Sequence, residues 1–241
     1  MFKKYSIYVV FIIISLLSLS IPAQPVLKMT VENFDFGFTP QNAAVSYDFW
    51  LYSTGKDTLK ITRVKTSCGC TKAPLEKDVL APGDSTRLEI IFTTGRYKNK
   101  VRKSIYVTTN SDQVARQVVI MSNILIRPDS TYPVVIKPYK LNISQLSEKI
   151  RDELKFTITN VSDRDLKPFL VAYPQDLFEI KLPKEIKAGE KAEGVLKLKK
   201  ANLNKGFKKS FTIELNDENK SRFTIPVVRN IRLAESSTDR K

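Results

Sequence analysis

The chain contains a diverged copy of itself. Phe49-Trp50-Leu51-Tyr52-Ser53-Thr54-Gly55-Lys56-Asp57-Thr58-Leu59 aligns with Phe156-Thr157-Ile158-Thr159-Asn160-Val161-Ser162-Asp163-Arg164-Asp165-Leu166 at an offset of 107 residues. In both, an alternating run ends in a polar turn and restarts at a leucine. Ala81-Pro82-Gly83-Asp84 aligns with Lys187-Ala188-Gly189-Glu190, and Lys103-Ser104-Ile105 with Lys209-Ser210-Phe211, now at an offset of 106, a one-residue slip of the kind loops absorb. The repeat length is that of a common domain, so the duplication points to two units of one architecture.

The unit is all-β. Runs rich in Val, Ile, Thr, Phe and Tyr recur about every 8 to 12 residues between Gly, Pro, Asn and Asp, the spacing of a sandwich or barrel. Val45, Tyr47, Phe49 and Leu51 share one face of a strand, and a helical period does not fit them. Strands are predicted over residues 31–36, 45–51, 59–64, 86–92, 103–108 and 114–126, and again over 154–160, 166–172, 194–198, 209–215 and 223–228. That count suits two tandem immunoglobulin-like β-sandwich domains. Arg127-Pro128-Asp129-Ser130-Thr131-Tyr132-Pro133 interrupts the pattern and sets the expected boundary, with a first domain over 24–130, a second over 131–234 and a frayed tail over 235–241. Residues 145–154 form either a short helical turn or a link between strands.

Compartment is legible at the N-terminus. Lys3 and Lys4 precede an apolar run from Tyr8 to Leu19, and Ala23 lies before Gln24 and Pro25, which together read as a signal peptide over residues 1–23. The run is short of the roughly 20 apolar residues of a membrane span, so a membrane association follows only if it stays uncleaved. No cysteine stands near the cleavage site, which argues against a lipoprotein. The expected location is periplasmic or extracellular.

The chain has 40 Lys and Arg against 25 Asp and Glu, a net charge of +15, and both halves are basic. Such a field favours anionic surfaces such as cell-envelope polymers. Nucleic acid is not expected as a partner of an exported chain. There is no histidine, which excludes His-based triads and His-ligated zinc. Acidic residues are scattered at turns, as in Asp163-Arg164-Asp165 and Asn216-Asp217-Glu218, and neither a glycine-rich phosphate loop nor a Gly-x-Ser-x-Gly elbow occurs. No enzyme activity and no cofactor are expected.

One ordered set of motifs is specific. Asn33-Phe34-Asp35-Phe36-Gly37, Ser53-Thr54-Gly55, Val64-Lys65-Thr66-Ser67-Cys68-Gly69-Cys70-Thr71, Leu80-Ala81-Pro82-Gly83-Asp84 and Tyr106-Val107-Thr108-Thr109-Asn110 resemble an uncharacterised bacterial family. It is a domain of unknown function in exported proteins, especially of Bacteroidetes-like bacteria, and is similar to Hydin-type (ASH) immunoglobulin-like domains. The resemblance covers roughly residues 30 to 125 and implies the fold and an export route, with no established activity. Within it, Gly37 and Gly55 are read as positive-φ turn residues and Pro82-Gly83 as a type II turn pair.

Two constellations carry the chemistry on offer. Cys68 and Cys70 are the only cysteines, and Gln175 and Leu177 stand at their places in the second copy. In an extended strand their Cβ atoms are too far apart to bridge, and Gly69 is placed to supply the kink that closes the gap. So small a ring gains only about 1.6 kcal/mol of loop entropy before strain. The readings are a structural bridge or buried thiols, a labile disulfide for thiol-disulfide exchange, or a two-sulfur site for Cu(I). The second constellation is a basic, aromatic-containing hairpin present in both copies. It supplies candidate anion-binding residues Arg96, Lys98, Lys100, Arg102 and Lys103 in the first and Lys205, Lys208 and Lys209 in the second. Edge-protecting lysines are the competing reading. The expected function is an exported, non-enzymatic binding, scaffold or assembly protein whose partner is a protein or an anionic polymer. The alternative is redox or copper handling through Cys68 and Cys70.

Overall fold

The computed structural model describes residues 23–146 and 150–231, so the N-terminal apolar segment up to residue 22 and the tail lie outside the described residues. These residues form β-sandwiches, with no α-helix among them and one 3-10 turn at Lys200–Asn202. One four-stranded sheet runs β1 (Leu27–Met29), β3 (Ala44–Ser53), β7 (Ser85–Thr93), β5 (Thr71–Lys72). A second four-stranded sheet runs β10 (Val134–Lys137), β12 (Glu153–Asn160), β15 (Lys191–Leu198), β14 (Phe178–Lys181). Both pack on a single nine-stranded sheet. Its order is β13 (Pro168–Ala172), β16 (Phe207–Leu215), β17 (Arg222–Arg229), β2 (Asn33–Pro40), β9 (Arg116–Leu125), β8 (Asn99–Thr109), β4 (Leu59–Thr66), β6 (Val79–Leu80), with β11 (Leu141–Asn142) beside β17.

Two clusters of buried apolar side chains lie between these layers. One is built from Leu27 to Ile124 and includes Phe36, Phe49, Leu88 and Phe92; the other is built from Val134 to Val227 and includes Phe156, Phe178, Phe211 and Phe223. Each phenylalanine withdrawn from water is worth roughly 1.5–3 kcal/mol, so these clusters supply the main driving force. Alternation places them: Val45, Phe49 and Leu51 of β3 are buried, while Trp50 between the last two is exposed. Tyr47 is half-buried and stacks on Phe34 with ring centroids 3.6 Å apart.

The repeat is reproduced at the level of single hydrogen bonds. Ser53 N–H donates to Asp84 O at 2.9 Å, and its counterpart Asn160 donates to Glu190 O at 2.9 Å. The turns that supply these carbonyls are closed by Asp84 N–H on Ala81 O and by Glu190 N–H on Lys187 O, each at 3.0 Å. Gly83 at φ +86° and Gly189 at φ +74° fill the left-handed position that a type II turn requires, as read for Pro82-Gly83. A further equivalent pair lies outside the aligned segments of the repeat. Asn110 Oδ1 accepts from Lys60 N–H at 2.8 Å, and Asn216 Oδ1 accepts from Lys167 N–H at 2.7 Å, clamping equivalent strands in each half.

Between the halves the sheet does not stop. β17 and β2 pair in parallel through Phe223 and Phe38. β2 belongs to both cores: Phe36 is fully buried in the first, whereas Phe38 packs on the second, its ring 5.1 Å from that of Phe223. The change of side falls at Gly37, at φ +62°, inside a register shift between Asp35 and Phe38. Three successive carbonyls there are bound by side chains. Thr224 Oγ1 donates to Phe36 O at 2.6 Å, Ser122 Oγ to Gly37 O at 3.2 Å and Tyr139 Oη to Phe38 O at 2.8 Å. The face of β16 and β17 turned to the first half is polar and buried. Ser210 bonds Ser46 through both N–H and carbonyl, Thr212 and Thr224 share a 2.8 Å hydroxyl contact, and Lys209 pairs with Glu89. Buried polar groups are costly unless paired, and this junction pairs them.

Several expectations change. Gly37 is a bulge residue within a strand rather than a turn residue. Gly55 has no positive φ; a Cβ there would stand 2.1 Å from Gln24 O and 2.6 Å from Val26 N, so the glycine provides room for β1 to approach. Residues 145–154 contain no helix among the described residues: Gln145 bridges Ile231 and β12 begins at Glu153. Strands β1, β5, β6, β10, β11 and β14 were not anticipated, each having two to four residues.

Candidate functional site

Cys68 and Cys70 lie in the turn between β4 and β5 and form a disulfide, with Cα atoms 5.3 Å apart, inside the range bridges span. Chain reversal brings them together. Thr71 N–H returns to Cys68 O at 3.4 Å, and Thr66 Oγ1 donates to the same carbonyl at 3.1 Å. The turn is tied to its neighbours by Ser67 N–H on Ser104 O and Thr93 N–H on Cys70 O, both at 2.9 Å. Thr71 is buried and its hydroxyl lies 3.6 Å from Cys68 Sγ and 3.7 Å from Cys70 Sγ. Gly69 contributes neither a positive φ nor space, since a Cβ there would meet nothing within 4 Å. Gly69→Ala is therefore expected to shift stability by less than about 0.5 kcal/mol. Gly55→Ala, forced against backbone, is expected to cost about 1–3 kcal/mol; urea unfolding of the two variants measures the difference.

With both sulfurs in the bond, Cu(I) could bind them only after reduction. Among the described residues no group of three or more Cys, Asp or Glu is placed to hold a metal ion.

The basic hairpins are separated by the sheet. Lys205 and Lys208 lie at or before the start of β16, beside the Val228 end of β17, whereas Lys100 and Arg102 lie across β2 and β9 from β17. Two residues are already engaged. Lys209 is largely buried and paired with Glu89, so it joins the halves and is not available to a ligand. Lys103 sits 4.2 Å from the centroid of the Tyr97 ring, an arrangement worth about 0.5–1 kcal/mol at an exposed site. Arg96 and Lys98 project from the exposed turn before β8.

Lys100 and Arg102 instead face a cleft of about 870 Å³ between the halves, where Lys220 and Arg222 reach in from the other side. Its acids are occupied. Glu214 pairs with Arg222 at 2.7 Å, Asp217 accepts from Ser221 N–H and Oγ at 2.8 and 2.7 Å, and Asp35 Oδ1 accepts from Gly37 N–H at 2.8 Å. Among the described residues Lys100, Arg102 and Lys220 form no ion pair; with Arg222 they give the lining four cations against the three carboxylates Asp35, Glu214 and Asp217, an excess of one positive charge. Met121 and Tyr132, both exposed, give it apolar contact area. Sequence reasoning found Lys100 and Arg102 but not Lys220 or Tyr132, because the junction that gathers them is invisible in a linear pattern.

A second cleft, of about 720 Å³, lies across the junction beside Trp50 and Tyr173. It is lined by Asp48, Glu76 and Asp176 against Arg87 and Lys209, and Arg87 reaches Asp48 at 3.5 Å and Glu76 at 3.6 Å. Burial raises the Asp48 carboxyl above its ordinary range, with Arg87 offsetting part of that. Its lining therefore has an excess of one negative charge, opposite in sign to the first cleft.

Residues 27–124 match the model of a family described as a protein of unknown function, DUF1573. No curated protein matches the chain. Among solved structures, a protein of unknown function from Porphyromonas gingivalis is 14% identical, with 85% of this chain and 99% of that chain covered and a TM-score of 0.36. The seventh ASH/PapD-like domain of human CEP192 is 8% identical, with 46% of this chain and 92% of that chain covered and a TM-score of 0.37.

Proposed function

We propose that this chain, whose residues 27–124 match the DUF1573 family, is an exported, non-enzymatic binding and assembly protein that holds an anionic cell-envelope polymer in the cleft between its halves. The observation that carries the reading is the set of three cations that make no ion pair, Lys100, Arg102 and Lys220, contributed by both halves around a cleft whose lining has an excess of positive charge. Lys100 and Arg102 stand on strand β8, so two of the three cations are held in place without the entropic cost of assembling the site. The net charge of +15 supports the same partner class by drawing anions toward the surface. Export follows from the N-terminal pattern, and fractionation of cells with N-terminal sequencing of the mature chain tests it.

The binding test uses heparin as an anionic polysaccharide probe, with affinity measured by calorimetry across a salt series. The double variant Lys100→Glu, Arg102→Glu is expected to bind at least about tenfold more weakly, with a shallower salt dependence. The control Lys205→Glu, Lys208→Glu makes the same charge change away from the cleft and is expected to lose less than about threefold. Equal losses in the two variants would mean that diffuse charge, and not the cleft, does the binding.

A further inference from the structure

The internal duplication supplies a control for the cysteine pair. Position for position, Cys68 and Cys70 correspond to Gln175 and Leu177, and the turn after Pro174 leads into β14 as the cysteine turn leads into β5. The second copy closes its turn with Leu177 N–H on Pro174 O at 3.0 Å, and Leu177 is buried in the second core much as Cys70 packs on the first. The fold therefore makes this connection without a covalent link. The cysteine turn has its own backbone pins as well, to Ser104 and Thr93, which do not depend on the bond. A bridge between residues two apart also constrains the unfolded chain little. Folding alone therefore gives no reason for the first copy to have two sulfurs there.

We infer that Cys68–Cys70 is an exchangeable disulfide that takes two electrons from a partner protein carrying two free thiols. The sulfurs are unequal. Cys70 packs on the core, Cys68 does not, and the turn at Gly69 opens on empty space. A partner thiolate attacks Cys68 Sγ; the electrons of the S–S bond leave on Cys70 Sγ, which takes up a proton, and the Thr71 hydroxyl stands 3.7 Å away to stabilise that developing thiolate. The partner's second thiolate then attacks its own sulfur in the mixed disulfide and releases Cys68 as a thiolate, which is protonated in turn. The partner ends as a disulfide and this chain as a dithiol that keeps its fold. Exchange at this turn is independent of the cleft, so either can fail alone.

The test uses the full mature protein. Dithiothreitol should reduce the bond without denaturant, leaving the far-UV circular dichroism unchanged and the melting temperature within about 3 °C. A bond that yields only in denaturant, or a reduced chain that unfolds, would make the disulfide a structural staple and overturn the inference. The two sulfurs are then separated with Ellman's reagent. The Cys68 thiol of Cys70→Ser is expected to react at least about tenfold faster than the Cys70 thiol of Cys68→Ser, because attack is at the sulfur not packed on the core. Equal or reversed rates would overturn the assignment of Cys68 as the point of attack.

Discussion

Gly37→Val is expected to cost about 3–5 kcal/mol of folding stability, and to split a single urea transition into two. The position is strained for any side chain at φ +62°, and worst for a β-branched one. Lack of space costs more than the backbone angle: a Cβ would stand 2.1 Å from Arg222 O and 2.4 Å from Arg222 Cβ, so β17 must move away from β2. That displacement breaks the Thr224 bond to Phe36 O and withdraws Phe38 from the second core, which is what lets the halves melt apart. Gly83→Ala separates the two causes. It has a similar backbone at φ +86° but open space around the Cβ, and should cost only about 1 kcal/mol. A Gly37→Val protein with one transition and a loss no greater than that control would refute the account of β2 as a strand shared by two cores.

Arg229→Met is expected to remove about 3–5 kcal/mol, with thermal and urea unfolding as the measurement. Arg229 is the bulkiest side chain among the fully buried ones, at 1% exposure, and no carboxylate pairs with it among the described residues. Its guanidinium is held by oxygens instead. Nη1 donates to Ile143 O at 2.6 Å and Arg151 O at 3.1 Å, and Nη2 to Gln145 Oε1 at 3.0 Å and Leu203 O at 2.5 Å. Burial lowers the guanidinium from its ordinary range, yet that range is so high that the group stays charged. One side chain at the end of β17 thus satisfies carbonyls from two separate connections, β11 to β12 and β15 to β16. Methionine fills the volume and leaves those acceptors dry. Arg229→Lys keeps the charge but replaces a planar fork with a point donor, and should recover only part of the loss.

The strands that could be read from sequence are those with one buried face and enough length to alternate, such as β3, β7 and β12. Those that could not, β1, β5, β6 and β14 among them, are too short for a period to register. The repeat located the equivalent turns at Gly83 and Gly189, because turn chemistry is local. The Asn110 and Asn216 pair keeps the same offset of 106 outside the segments whose likeness reveals the repeat. The junction was hidden for a different reason. Ser210, Thr212 and Thr224 sit among apolar residues just as solvent-facing positions would, and nothing local distinguishes a hydroxyl that meets water from one that meets Phe36 O. The cysteine turn is legible as a site, and the chain reversal that brings the sulfurs together includes Gly69, though without a positive φ at the glycine.

The merged sheet has a consequence for descent. A duplicated gene segment ordinarily leaves two copies free to diverge, each answering only to its own core. Here Gly37 must remain small because of Arg222, and Thr224 must keep its hydroxyl while Phe36 presents a carbonyl to it. Substitutions in one copy are therefore filtered by the other, and a recombination event near residue 130 that brought in a foreign second copy would have to restore that seam before it could inherit anything else.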